Sequence, residues 1–180
     1  WGVKRLGDGR VTYHLLFVWR DRVSYPKLKK QTIELYDKWR PNAVLIEDKS
    51  SGTSLIQDLK EKTTMPVIAI EPESSKLFRA NEVSALIESG LVELPIDAPW
   101  LIDFESEVFG FPLSVNDDQV DSMTQFLRWV RQRLLTISHE GIGAVRAGFS
   151  AFTNDVTRAQ ADDDDSFVSI RRNSSSIGDF

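Results

Sequence analysis

Ala43-Val44-Leu45-Ile46-Glu47-Asp48-Lys49-Ser50-Ser51-Gly52 is the stretch that decides the fold. Its apolar run is continuous rather than alternating, which is the pattern of a strand covered on both faces at the centre of an α/β sheet. Glu47 and Asp48 close that strand, so Asn42–Asp48 reads as one element ending in two carboxylates. The turn Ser50-Ser51-Gly52-Thr53 then offers several N-caps to a helix whose apolar face is Leu55, Ile56 and Leu59.

Upstream, Trp1–Leu6 and Val11–Trp19 are rich in apolar and β-branched residues, with Gly7-Asp8-Gly9 between them. Glycine takes positive φ cheaply, so an antiparallel hairpin is expected there. Tyr25, Leu28, Thr32, Leu35 and Trp39 recur every three or four residues, predicting one buried stripe of a helix that Pro41 stops. Downstream, Val67–Ile70 reads as a short buried strand. Leu77, Ala80, Val83, Leu86 and Ile87 predict a helix ended by Gly90, and Leu91–Leu94 an edge strand before Pro95. Val120, Met123, Phe126, Leu127, Val130 and Leu134 predict a long amphipathic helix, with Asn116 as N-cap and Gln119 in a capping-box position. The expected fold is α/β, a mixed sheet flanked by helices.

The periodicity fades near Ser138. Residues 138–180 are expected to be a largely disordered tail, with a short helix near Ala144–Phe152, leaving 1–137 as the folded domain. No internal repeat occurs.

Composition narrows the chemistry. The sequence has no cysteine and only two histidines, His14 and His139, so thiolate and histidine-rich metal sites are excluded and any metal must take oxygen ligands. Both histidines read as structural or solvent-exposed. No apolar run approaches the ~20 residues of a membrane helix and no signal-peptide pattern is present, so no membrane partner is expected. Net charge is −5, yet residues 1–40 carry ten Lys/Arg against four Asp/Glu while 41–140 carry eight against seventeen. That asymmetry suits a protein that steers a polyanion with one region and gathers cations in another, and it is equally common in proteins that do neither.

Two places put carboxylates at element ends: Glu47-Asp48 at the central strand, and Asp117-Asp118, with Asp121 one turn on, at the start of the last helix. The C-terminal edge of a sheet is where α/β folds commonly bind ligands. Carboxylates converging there need a cation between them, and Mg²⁺ or Mn²⁺ suits hard oxygen donors and a substrate phosphate. Acidic residues in a first helical turn are also favourable without any metal, and spacing alone leaves both readings open.

A resemblance weighs between them. Val44-Leu45-Ile46-Glu47-Asp48-Lys49-Ser50-Ser51-Gly52 resembles the second acidic motif of the nuclease domain of bacteriophage large terminases. In order there follow Ser75-Lys76-Leu77-Phe78-Arg79-Ala80, Glu88–Pro95, the aromatic segment Trp100–Pro112 with Phe104, Glu107, Phe109 and Phe111, and Asn116–Ser122, which is similar to the third acidic motif. The match covers about residues 1–135. It implies an RNase H-like fold and metal-dependent endonuclease chemistry that cuts concatemeric double-stranded DNA during packaging. Glu47 would be the second metal-binding carboxylate and Asp118 the third. Asp117 would assist or substitute at the third site, Asp48 is the alternate at Glu47's site, and the complete site would hold two Mg²⁺ or Mn²⁺ ions. Lys76 and Arg79 would face the DNA backbone, with Lys49 a further candidate; solvated charges are the alternative for all three. The terminase small subunit and portal would be partners, in the cytoplasm of a bacterial host, for a phage or prophage protein.

The same resemblance places a first catalytic Asp on a strand preceding Trp1, and Asp8, in a distal hairpin turn, does not replace it. The first strand is thus expected to be missing from these 180 residues, along with the motor's ATPase, since no phosphate-binding loop ending in Gly-Lys-Ser or Gly-Lys-Thr occurs. Weak or absent cutting is expected of these residues alone. The alternatives are a non-catalytic remnant binding DNA or packaging partners through its basic first forty residues, and another RNase H-like enzyme such as a resolvase or transposase.

Overall fold

A computed structural model describes residues 1–71, 73–139 and 167–169, without the side chains of 136–139 and 167–169. The chain forms two compact units, one of Trp1–Val18 with Lys76 onward, the other of Trp19–Ser75. It is α/β, with a mixed sheet and an RNase H-like fold.

In the first unit β1 (Gly2–Arg5) and β2 (Val11–His14) form the expected hairpin, in register from Gly2↔His14 to Arg5↔Val11. β2 is shorter than the stretch Val11–Trp19 suggested. Beyond it the chain stays attached for one residue, Leu15 N–H donating to the Glu93 carbonyl at 3.0 Å. β2 pairs in parallel with β5 (Val92–Pro95), and β5 pairs antiparallel with β6 (Phe167–Ser169). The order β1-β2-β5-β6 makes β5 an interior strand, not the edge expected from its length. Val92 and Leu94 are accordingly buried. β6 falls within the stretch expected to be disordered; the possible helix at Ala144–Phe152 lies outside the described residues.

Three helices pack beside this sheet: α3 (Lys76–Glu88), α4 (Leu101–Gly110) and α5 (Asp118–His139). The predicted stripe of α5 is the buried one, with Val120, Met123, Leu127 and Val130 inside and Phe126 and Leu134 packed against the core. Burying four such side chains stabilises the unit by roughly 1.5–3 kcal/mol each. Phe126 stacks on Trp1 and meets Tyr13 edge-on. α3 differs from its reading. Val83 is buried and Leu86 and Ile87 pack on the core, but Leu77 is exposed and the charged Arg79 is buried instead. Gly90, at φ 71°, ends α3 in the left-handed conformation that glycine adopts without penalty. Inside the sheet the buried His14 shares a 2.8 Å hydrogen bond between its Nε2 and Thr12 Oγ1, and its Nδ1 lies 3.3 Å from Glu93 Oε2.

The second unit contains α1 (Tyr25–Trp39), β3 (Val44–Glu47), α2 (Ser51–Lys62) and β4 (Val67–Ile70). β3 and β4 pair in parallel, Val44↔Val67 through Glu47↔Ile70. β3 was read as a central strand; among the described residues it has one neighbour and is half-buried along its length. Pro26 opens α1, where its missing N–H is harmless, and Arg40 closes it in the left-handed region before Pro41. The inward stripe is Tyr25, Leu28, Ile33 and Tyr36 against Leu55, Leu59 and Met65, rotated from the predicted one, with Trp39 exposed. Asp58 of α2 ties α1 down. It accepts from Lys29 Nζ at 2.8 Å, Tyr25 Oη at 2.9 Å and Lys62 Nζ at 3.0 Å.

Candidate functional site

The third acidic stretch is the more extensively ion-paired of the two. Asp117 is the last residue before α5, and its carbonyl accepts the Asp121 N–H at 2.9 Å. Residues four apart lie on one face of a helix, so Asp117 and Asp121 present their carboxylates side by side. Lys76, the first residue of α3, fills the gap: its ammonium lies 2.7 Å from Asp117 Oδ1 and 2.8 Å from Asp121 Oδ2. Hydrogen bonds to Asp117 and then Asp121 push the Lys76 pKa up to about 12. One turn further along α3, Arg79 Nη2 reaches Asp121 Oδ1 at 2.5 Å from a buried position. Asp118, by contrast, is exposed and makes no ion pair or side-chain hydrogen bond among the described residues.

The expected capping box does not form. Gln119, read as reaching back toward Asn116, turns to Glu107 of α4, which accepts the Gln119 backbone N–H at 2.6 Å and its side-chain Nε2 at 2.8 Å. The carboxylate accepts both of these bonds at once and brings a full negative charge to the positive end of the helix, which a neutral asparagine does not. Glu107 is 5 % exposed and Gln119 7 %. Glu107 was noted as part of the aromatic segment without a role. Its signal was present: Leu101, Phe104 and Val108 make an i, i+3, i+7 stripe, and Glu107 sits on it.

The second acidic stretch belongs to the other unit. Glu47 ends β3 half-buried, and its side chain has no ion pair or hydrogen bond among the described residues. Asp48, by contrast, is engaged: its Oδ1 accepts from Thr53 Oγ1 at 2.6 Å and its N–H donates to the Ile70 carbonyl at 2.8 Å. Lys49 is exposed. The turn into α2 is tight. Ser50 takes positive φ, and Gly52 lies so close to the strand end that a Cβ there would stand 2.1 Å from the Glu47 carbonyl oxygen.

The structure therefore brings Lys76, Arg79, Asp117 and Asp121 into one cluster and sets Glu47, Asp48 and Lys49 around one turn. Among the described residues no group of three or more acidic or histidine side chains is gathered as a metal cage. No helix among them is long and apolar enough to cross a membrane. Residues 7–128 match the family model of the terminase RNase H-like domain. The chain belongs to that family. It is a terminase nuclease domain, and both acidic stretches lie inside the matched region of the terminase sequence. No curated protein and no solved structure matches the terminase chain.

Proposed function

We propose that this terminase domain is a metal-dependent endonuclease that cuts concatemeric double-stranded DNA during packaging, with Glu47 and Asp118 as its metal-binding carboxylates. The observation that carries the reading is the difference among neighbouring acids. Asp117, Asp121 and Asp48 are engaged by Lys76, Arg79 and Thr53, whereas Asp118 and Glu47 are not engaged among the described residues. Uncommitted carboxylates are the hard oxygen donors that Mg²⁺ or Mn²⁺ accepts. When bound, such ions would supply activation of a water and stabilisation of the leaving oxygen of a phosphodiester. The chain's own contribution is to hold Asp118 at the start of α5 and Glu47 at the end of β3. Asp117 assists only by leaving Lys76, and Asp48 only by leaving Thr53.

Lys49, exposed beside Glu47, is the cation best suited to meet a DNA phosphate. Lys76, with 44 % of its side chain exposed, meets DNA at its edge, and Arg79 supports it from a buried position. The terminase small subunit, the portal and the host cytoplasm follow from the family's role as proposals of the same standing. Mn²⁺-dependent nicking of supercoiled plasmid tests the reading. Cutting by these residues alone is expected to be weak; what nicking the parent shows is lost in Asp118→Asn, reduced in Asp117→Asn and unchanged in Asp8→Asn. DNA binding that weakens with salt and is unaffected by Mn²⁺ and by Asp118→Asn, without nicking, would instead support a non-catalytic DNA-binding domain.

A further inference from the structure

We propose that Glu107 is a positioning residue for Asp118, an inference that rests on Asp118 being a metal-binding carboxylate. The N–H that Glu107 accepts belongs to Gln119, so the bond it anchors is the peptide joining Asp118 to Gln119. Fixing that peptide fixes the backbone from which the Asp118 side chain departs. The second hydrogen bond, from Gln119 Nε2, makes the grip two-pronged, and both partners are buried, so water does not compete for either oxygen. A first helical turn is ordinarily the frayed part of a helix, its N–H groups lacking partners within it. Here it is held from both sides, by Glu107 of α4 through Gln119 and by Lys76 and Arg79 of α3 through Asp117 and Asp121. Between these two anchors Asp118 is the one acidic residue left outward and free among the described residues. Glu107 touches no substrate in this arrangement. It acts through Asp118, in the way a hydrogen-bonded neighbour orients a metal ligand.

The test uses the full chain and Mn²⁺ alone as probe, read by paramagnetic broadening of backbone amide signals, with thermal unfolding of each variant alongside. Broadening around residues 117–119 in the parent is lost in Asp118→Asn. Glu107→Asp keeps the charge and withdraws the carboxylate by one methylene; it requires about tenfold more Mn²⁺ for the same broadening, the usual loss when a ligand's orienting partner is removed. Glu107→Gln behaves the same way, and adding Gln119→Glu to it, which exchanges the two groups, restores the response. Core amides such as those of Val92 and Leu127 keep their positions throughout. Should Glu107→Gln fail to fold, Glu107→Asp carries the comparison. A folded Glu107→Asp variant with an unchanged Mn²⁺ response, while Asp118→Asn abolishes it, overturns the positioning role and leaves Asp118 as a ligand. An Asp118→Asn variant with the parent's response overturns the reading of Asp118 and the proposal with it.

Discussion

Replacing Gly52 by alanine tests the turn that carries Glu47, because two effects of opposite sign compete there. Gly52 is the second residue of α2, where alanine is the better helix former by up to about 1 kcal/mol and also narrows the unfolded ensemble. Judged by propensity, Gly52→Ala should stabilise. The geometry says otherwise. The added Cβ would stand 2.1 Å from the Glu47 carbonyl oxygen, whereas real Cβ contacts essentially never fall under 3.0 Å. It would also stand 3.3 Å from the Glu47 carbonyl carbon and 3.5 Å from Ile46 Cγ2. The obstacle is backbone, so no rotamer change relieves it; either the end of β3 moves by nearly 1 Å or the first turn of α2 unwinds. Overpacking of this kind costs roughly 1–3 kcal/mol and more where backbone must shift, so the net expectation is a destabilisation of about 2 kcal/mol. Urea unfolding followed by circular dichroism measures it. Ser54→Ala, at an exposed position in the same turn, is the control and should change stability by no more than about 0.5 kcal/mol. A Gly52→Ala midpoint equal to or above the parent's would refute the close approach and, with it, the account of why glycine follows the carboxylates.

Asp58 and Asp121 give two further expectations. Hydrogen bonds from Lys29, Lys62 and Tyr25, in that order, hold the Asp58 carboxyl well below its ordinary value of 3.8. A depressed folded-state pKa contributes stability that is present above the unfolded value and lost as pH falls toward the folded one. Asp58→Asn should therefore be less stable than the parent at neutral pH, with the gap shrinking in urea titrations at about pH 3; a gap independent of pH would refute the ion-pair account. At the other cluster, Asp121→Asn weakens the charged partner of the buried Arg79 and should cost about 2 kcal/mol, whereas Asp117→Asn, 39 % exposed and paired with the half-exposed Lys76, should cost under about 1 kcal/mol. Thermal or urea unfolding of the two variants compares them, and equal losses would show that Arg79 does not depend on Asp121.

Where a helix meets the core along a single apolar stripe, the sequence is legible. α5 is the clear case, since Val120, Met123, Leu127 and Val130 recur at helical spacing and nothing charged interrupts them. α3 and α4 were harder for one shared reason: each buries a charged residue on its apolar face, Arg79 in one and Glu107 in the other, while exposing Leu77, Phe78, Ile102 and Phe109. Charged residues are read as solvated by default because burial of an unpaired charge is costly. Their partners, Asp121 and Gln119, come from other elements, and pattern within one element cannot supply them. Strand order is hidden for the same reason. The length of β5 suggested an edge, but its neighbour β6 lies more than seventy residues away along the chain.

The choice among the three aspartates at the start of α5 follows from the partner on α3. Successive residues turn by about 100°, which sets Asp118 about 100° from Asp117 and about 60° from Asp121, so the angle alone does not single it out. The Lys76 ammonium serves Asp117 and Asp121 and is not bonded to Asp118. Arg79 adds a second bond to Asp121. A role for Asp117 in place of Asp118 would require releasing Lys76, leaving two like-charged carboxylates adjacent, the farther of them held by Arg79. Asp118 needs no such release. The adjacent aspartates that look interchangeable in the sequence are thus separated by a lysine on the neighbouring helix, which binds one and not the other.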